Sequence, residues 1–234
     1  MAKRKSKNKR AKRTTKIGQA AVLTGAVWTA WRLHILKCGP TWLWVAITLT
    51  HVLCACISEV LQLKASDFHW NARSVTIAAL KRQPQVNKVL MGAILPTLRK
   101  LKKEGKTVRR KRNCGVRGQV SFQDSWMWPS GQKYLFPDRS GKSHLKKDIV
   151  CHAIKKIRNT FPVSGSEKIR SHSGRHSMIN MLKSHNVPAD VGMSFARISH
   201  KRTYDLYGQL NQLQAGQALN SNMRLKKSLK TMYS

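Results

Sequence analysis

Between Thr41 and Ser58 the chain carries no formally charged residue, in a protein with 45 lysines and arginines. A run so free of charge has to leave water, and everything else must pack around it. The segment holds His51 and leads directly into Glu59 and an amphipathic continuation through Val60, Leu61 and Leu63. It is short for a bilayer span, which takes about 20 apolar residues. The pattern therefore predicts a buried core helix over 41–63, with a membrane span as the alternative it disfavours.

The remaining elements fall around that helix. Residues 18–38 read as a first helix, apolar at Ala21, Val22, Val27, Trp28, Trp31, Leu33 and Leu36, and Gly39-Pro40 ends it. Ser74 to Leu80 alternates around Val75 and Ile77 as a strand does, and Gln83-Pro84 breaks it. Helices are expected at 91–103, 146–158, 174–185, 188–196 and 209–230. Residues 119–140 hold short strand-like pieces in which Trp126 and Trp128 read as core rather than as stacking platforms for bases. The fold class is mainly α with a small antiparallel β-sheet, α+β. Residues 1–17 form a basic arm that is disordered alone, 18–208 one folded domain, and 209–234 a helical tail. That tail, with Leu210, Leu213, Leu219, Leu225 and Leu229, could pack on its own domain or on a neighbour.

Forty-five cations against nine acids give a formal net charge of +36. Such an excess repels itself and calls for a polyanionic partner. Nucleic acid comes first and an anionic membrane surface second. The cations cluster in the arm, including Lys3, Arg4 and Lys5, and in the 99–118 stretch, including Arg109, Arg110, Lys111 and Arg112. That stretch reads as an exposed basic loop or face on phosphates. The five cysteines, Cys38, Cys54, Cys56, Cys114 and Cys151, are odd in number and include no C-x-x-C pair. A disulfide framework and a structural zinc are not expected. His172 and His176 are four apart, but no third ligand stands at a known spacing. The reading is an intracellular protein, nuclear if the cell is eukaryotic, with no small-molecule cofactor, no metal and no membrane.

Three separated stretches carry a resemblance. The first is Cys56-Ile57-Ser58-Glu59 followed by Leu63 and Asp67; the second is Lys81, just behind the strand at 74–80; the third is His172-Ser173-Gly174-Arg175-His176. His200, Tyr204 and Tyr207 follow. Together they resemble the catalytic domain of the tyrosine recombinase (phage-integrase-like) family, over roughly residues 20–215. The resemblance implies an integrase-like catalytic domain that cuts and rejoins duplex DNA without metal or ATP, through a 3′-phosphotyrosyl intermediate, and acts as a homo-oligomer on DNA. It also implies the roles. Arg175 clamps the phosphate, His172 donates to it or assists the nucleophile, and Lys81 is the general acid. His200 stands near the family's His or Trp position, and Glu59 and Asp67 support the site. Tyr207 lies 32 positions after Arg175 and Tyr204 lies 29. The family's usual separation favours Tyr207 as nucleophile over Tyr204.

Two positions depart from the family pattern. Its first arginine falls on Cys56, read here as a buried structural thiol, with Arg73 or Arg82 as possible substitutes in space. Its His or Trp falls on Ile198, two residues before His200, and Arg197 or Lys201 are the alternatives there. The competing functions are therefore a strand-cutting recombinase, a catalytically impaired relative that binds DNA without cleaving it, and a basic RNA-binding protein.

Overall fold

A computed structural model describes residues 20–80, 84–113 and 119–207. Lys3, Arg4, Lys5, Lys81 and Arg82 lie outside these residues, as do the tail at 209–234 and the side chain of Arg112.

Helix α1 (Gly25–Cys38) presents Trp28, Trp31 and Ile35 to the core at three- and four-residue spacing. It starts seven residues later than the sequence suggests. Residues 20–24 form an extended strap whose donors are taken by tertiary bonds: Ala21 N–H reaches the Lys168 carbonyl at 2.9 Å and Leu23 N–H the Ser177 hydroxyl at 2.9 Å.

The expected helix over 41–63 is two helices, α2 (Thr41–Val52) and α3 (Ile57–Leu61). Every residue from Leu43 to Thr50 is buried, as the charge-free run requires. The break comes from a Schellman ending with cysteine where glycine is usual. Cys54 sits at φ 47°, its N–H returns to the His51 carbonyl (2.9 Å), and Ala55 N–H returns to the Thr50 carbonyl (3.0 Å). No glycine or proline marks the turn, so the apolar pattern runs through it unbroken.

Beyond α3 a three-stranded antiparallel sheet follows, in the order β1 (Phe68–His69), β2 (Ser74–Ile77), β3 (Val86–Val89). The strand expected at 74–80 ends at Ile77, and Pro84 precedes the returning strand rather than closing the sheet. Helix α4 (Leu95–Glu104) buries Leu95, Leu98 and Leu101 and is preceded by a 3-10 turn at Gly92–Ile94. Of the stretch expected as an exposed basic loop or face, residues 99–104 end α4 and residues 106–113 are strand. β4 (Lys106–Asn113) pairs with β5 (Gln119–Trp126) as a separate two-stranded antiparallel ribbon. An aromatic cluster supports the ribbon's base. Trp128 lies 4.9 Å from Phe68 and 5.8 Å from Trp126, and Trp126 donates its ring N–H to the Leu135 carbonyl at 2.9 Å.

Four helices complete the described chain: α5 (Lys147–Arg158), α6 (Ser173–Ser184), α7 (Ala189–Ala196) and α8 (Lys201–Leu206). The start of α6 lies hard against the end of α2. A Cβ on Gly174 would come within 2.1 Å of the Thr50 hydroxyl, so only glycine permits this approach. Among the described residues, no helix is long and apolar enough to cross a membrane.

Candidate active site

The broken end of α2 organises the site. A helix C-terminus carries partial negative charge and unpaired carbonyls. Here buried cations satisfy them. Lys88, on β3, donates to the Leu53 carbonyl, and Arg175, in the first turn of α6, donates from Nη1 to the Cys54 carbonyl at 3.4 Å. Arg175 also reaches the Cys56 sulfur at 3.5 Å and, from Nη2, the Ala196 carbonyl at 2.5 Å. The close approach at Gly174 places the α6 arginine at this helix end.

Glu59 sits among these cations. One oxygen accepts from the Cys56 N–H at 2.6 Å, closing the first turn of α3. The carboxylate also pairs with Arg197 at 2.9 Å and lies 3.8 Å from Arg175. All three side chains are less than a tenth exposed. Arg197 adopts φ 55° at the end of α7, and its other nitrogen reaches the Pro84 carbonyl in the β2–β3 connection at 2.6 Å. Its guanidinium thus ties α3, α7 and the hairpin loop together.

Burial opposes the charge on Arg175, but Cys56, Cys54, Tyr207 and Glu59 outweigh it and hold its pKa above the ordinary value. Burial pushes Lys88 down to about 8 and the Cys54 thiol up to about 11. Cys54 is the fully buried cysteine of the pair. Cys56, expected inside, is half-buried and faces a cavity.

That cavity, of about 130 Å³, is lined by Cys56, Ser58, Glu59, Leu80, Lys147, His172 and Arg175. A larger cleft of about 660 Å³ includes Lys147, His172, Arg170, His176 and Tyr207 in its lining. The two share Lys147 and His172, so the cavity that Arg175 lines and the cleft that Tyr207 lines are neighbours on either side of these two side chains. Tyr207 is half-buried; its ring lies 4.5 Å from that of His176 and 5.9 Å from the Arg175 guanidinium carbon. Lys183 fixes the end of α8 by donating to the carbonyls of Tyr204 (2.8 Å) and Tyr207 (2.7 Å). Burial, with the charges of His172 and Arg175, pushes His176 down to about 4.

The other candidates stand elsewhere. Tyr204 is buried against Gly192, where a Cβ would come within 2.1 Å of the phenol oxygen, and it belongs to the core cluster of Cys54, Met178, Ile179, Ala196 and Ile198. His200 is exposed at the start of α8 and lines neither cavity. Asp67 turns inward on its own segment, accepting from the Lys64 N–H at 2.7 Å, and also lines neither. Arg73 is exposed in the turn between β1 and β2. Lys81 lies outside the described residues, but its neighbour Leu80 lines the small cavity. Ile198 lies in the core cluster and leaves no polar group at that position.

Sequence reasoning passed over Lys88, Lys147 and Lys183. Lys88 was legible as the inward phase of an alternating strand, Val86-Asn87-Lys88-Val89, had that strand been recognised. Nothing local marks Lys147 or Lys183, whose roles come from tertiary approach. Among the described residues no group of three or more His, Cys, Asp or Glu could hold a metal ion.

Comparison with known proteins agrees with this architecture. Three solved structures share the fold, each at a TM-score of 0.59. XerA recombinase is 12% identical, over 93% of this chain and 67% of that one. The Tn1549 transposon integrase in complex with transposon right end DNA is 11% identical, over 93% and 67%. XerH site-specific recombinase bound to its difH substrate is 17% identical, over 87% and 55%. A search of curated protein sequences returned no match. The profile of the phage integrase family matches residues 34–212, from within α1 through Tyr207, and so takes in Cys56, Glu59, Lys147, His172, Arg175 and Tyr207. The chain belongs to the phage integrase family.

Proposed function

We propose that the protein cuts and rejoins duplex DNA through a covalent 3′-phosphotyrosyl intermediate on Tyr207. The observation that carries this reading is the convergence of Tyr207, His172 and Arg175: His172 lines both the cleft of Tyr207 and the cavity of Arg175, and the Tyr207 ring lies 5.9 Å from the Arg175 guanidinium carbon, although they come from α6 and the end of α8. In the proposed step the Tyr207 oxygen gives its proton to solvent at the cleft and attacks phosphorus. The bond from phosphorus to the 5′ oxygen breaks, and that oxygen takes a proton and leaves as a hydroxyl. The reverse step reseals the strand, since the phosphotyrosine conserves the bond. Arg175 stabilises the negative charge that gathers on the non-bridging oxygens, and His172 donates to the same group. Lys81, next in sequence to Leu80, which lines the small cavity, supplies the proton to the leaving oxygen. Lys147 lines both cavities and brings a second cation to the side where Cys56 offers none.

Tyr207 is preferred to Tyr204 because Tyr204 is enclosed in the core cluster. Cys56 sets the rate. Losing one preorganised donor costs about 3–4 kcal/mol in comparable sites, roughly two to three decades. Cleavage is therefore expected to be slow. A second reading, a DNA-binding relative that does not cut, is favoured by the same cysteine and by Ile198.

A nicked suicide duplex separates the two. The proposal expects a covalent protein–DNA adduct that disappears in Tyr207→Phe and survives in Tyr204→Phe. Retained DNA binding with no adduct from the unmodified protein supports the second reading.

A further inference from the structure

We infer that the β4–β5 ribbon is a sequence-reading element that enters the major groove of duplex DNA with one polar face, led by Arg109, Lys111 and Gln123. The inference rests on DNA being the substrate but concerns a surface apart from the Tyr207 cleft.

The ribbon's register divides its side chains into two faces. On one lie Lys106, Val108 and Arg110, opposite Trp126, Asp124 and Phe122. This is the docking face. Arg110 spends its fork on the Asp124 carboxylate (2.7 Å), the Lys37 carbonyl (3.1 Å) and the Gly39 carbonyl. Asp124 in turn accepts from the Thr41 N–H at 2.9 Å, at the start of α2. The ribbon is thus clamped at its base to the α1–α2 corner.

On the opposite face Thr107 pairs with Ser125, Arg109 with Gln123, and Lys111 with Ser121. All six residues are exposed, and none is acidic or apolar. Asp124, the acid of these strands, points to the other face and is neutralised there. A strand face of this length that served only solubility would need no amide opposite Arg109 and no hydroxyl opposite Lys111. Charge complementarity favours a polyanion, and a two-stranded ribbon fits the B-DNA major groove, about 12 Å wide and 8.5 Å deep. The eight residues of β4 extend roughly 27 Å at about 3.4 Å each, enough to cross that depth from an anchored base. Arginine and lysine suit guanine edges, glutamine an adenine edge, and serine and threonine hydroxyls either.

The test is selection from a random-sequence duplex pool by the full chain, followed by affinity measured against salt. Arg109→Ala with Lys111→Ala is expected to lower enrichment at the guanine positions of the selected sequence by about tenfold. Gln123→Ala is expected to leave the slope in place and to lower enrichment at one or two base positions by about tenfold. A selected sequence that neither variant changes overturns the inference; so does a loss confined to duplex RNA. Melting temperature, expected to stay constant, guards against misfolding. Tyr207→Phe is expected to keep both slope and selected sequence. Ribbon-dependent selection without any adduct from the unmodified protein would sink the cleavage reading alone.

Discussion

Arginine serves opposite ends in two parts of this molecule. Around Glu59, two arginines and a lysine are less than a tenth exposed and donate to a carboxylate, to carbonyls and to a sulfur. On the outer face of the β4–β5 ribbon, Arg109 and Lys111 stand in solvent. Buried charge is costly unless paired, so the knot fixes geometry and can hold a phosphate clamp in place before substrate arrives. Exposed charge costs little and does little for the fold, so it is free to meet a polyanion. The net charge alone does not distinguish these uses; position in the dielectric does.

The sharpest way to break this contrast is Glu59→Gln. It leaves Arg197 and Arg175 buried beside a neutral amide, and a loss of about 3–5 kcal/mol is expected in denaturant unfolding. A loss below about 1 kcal/mol would show that the knot is wetter than its burial indicates.

Acid comes next. His51, stacked 4.4 Å from Trp28, and His176 are both held at about 4 by burial, against an ordinary 6.5. Between these values the unfolded chain takes up protons that the native state refuses, so stability should fall as pH drops from 6.5 to 4. The loss is up to roughly 3 kcal/mol for each histidine. Lys88 works in the same direction at the alkaline end. Its native value of about 8 lies below the ordinary 10.5, so stability should rise as pH climbs between them. Lys88→Met is expected to remove that alkaline rise in pH-dependent melting.

Arg110→Ala should cost about 1–3 kcal/mol, because it strips partners from Asp124 and from two carbonyls at the α1–α2 corner. The double change Arg109→Ala with Lys111→Ala, on the neighbouring outward positions, should move stability by no more than about 0.5 kcal/mol. The difference between these two results, read by thermal melting, measures how far one basic run divides into structural and binding halves.

The sequence made the large features legible through ordinary signals. The charge-free run at 41–58 marked the core, and Gly39-Pro40 marked the end of α1. The helix expected at 146–158 is α5, buried at Val150, Ile154 and Ile157, and the His172–His176 box fell on a helix start. What it hid was set by contacts distant along the chain. Cys54 takes a left-handed turn without glycine because Ala55 and Cys54 return to α2 carbonyls and Lys88 and Arg175 satisfy the ones left over. Residues 106–111 look like a loop because charge masks strand alternation when both faces are polar or salt-bridged. Lys147 and Lys183 lie on helices whose own patterns give no reason to single them out. Arg175, His172 and Tyr207 could be named from the family resemblance, but that Cys56 would touch Arg175 and line the same cavity needed the fold.

The most direct measurement is to digest the adduct formed on nicked duplex DNA and to sequence the modified peptide by mass spectrometry. The account predicts a nucleotide remnant on the Tyr207 oxygen, in a yield that Cys56→Arg raises and Arg175→Ala removes. A remnant on Tyr204 or on a cysteine, or an adduct indifferent to Arg175, would contradict it.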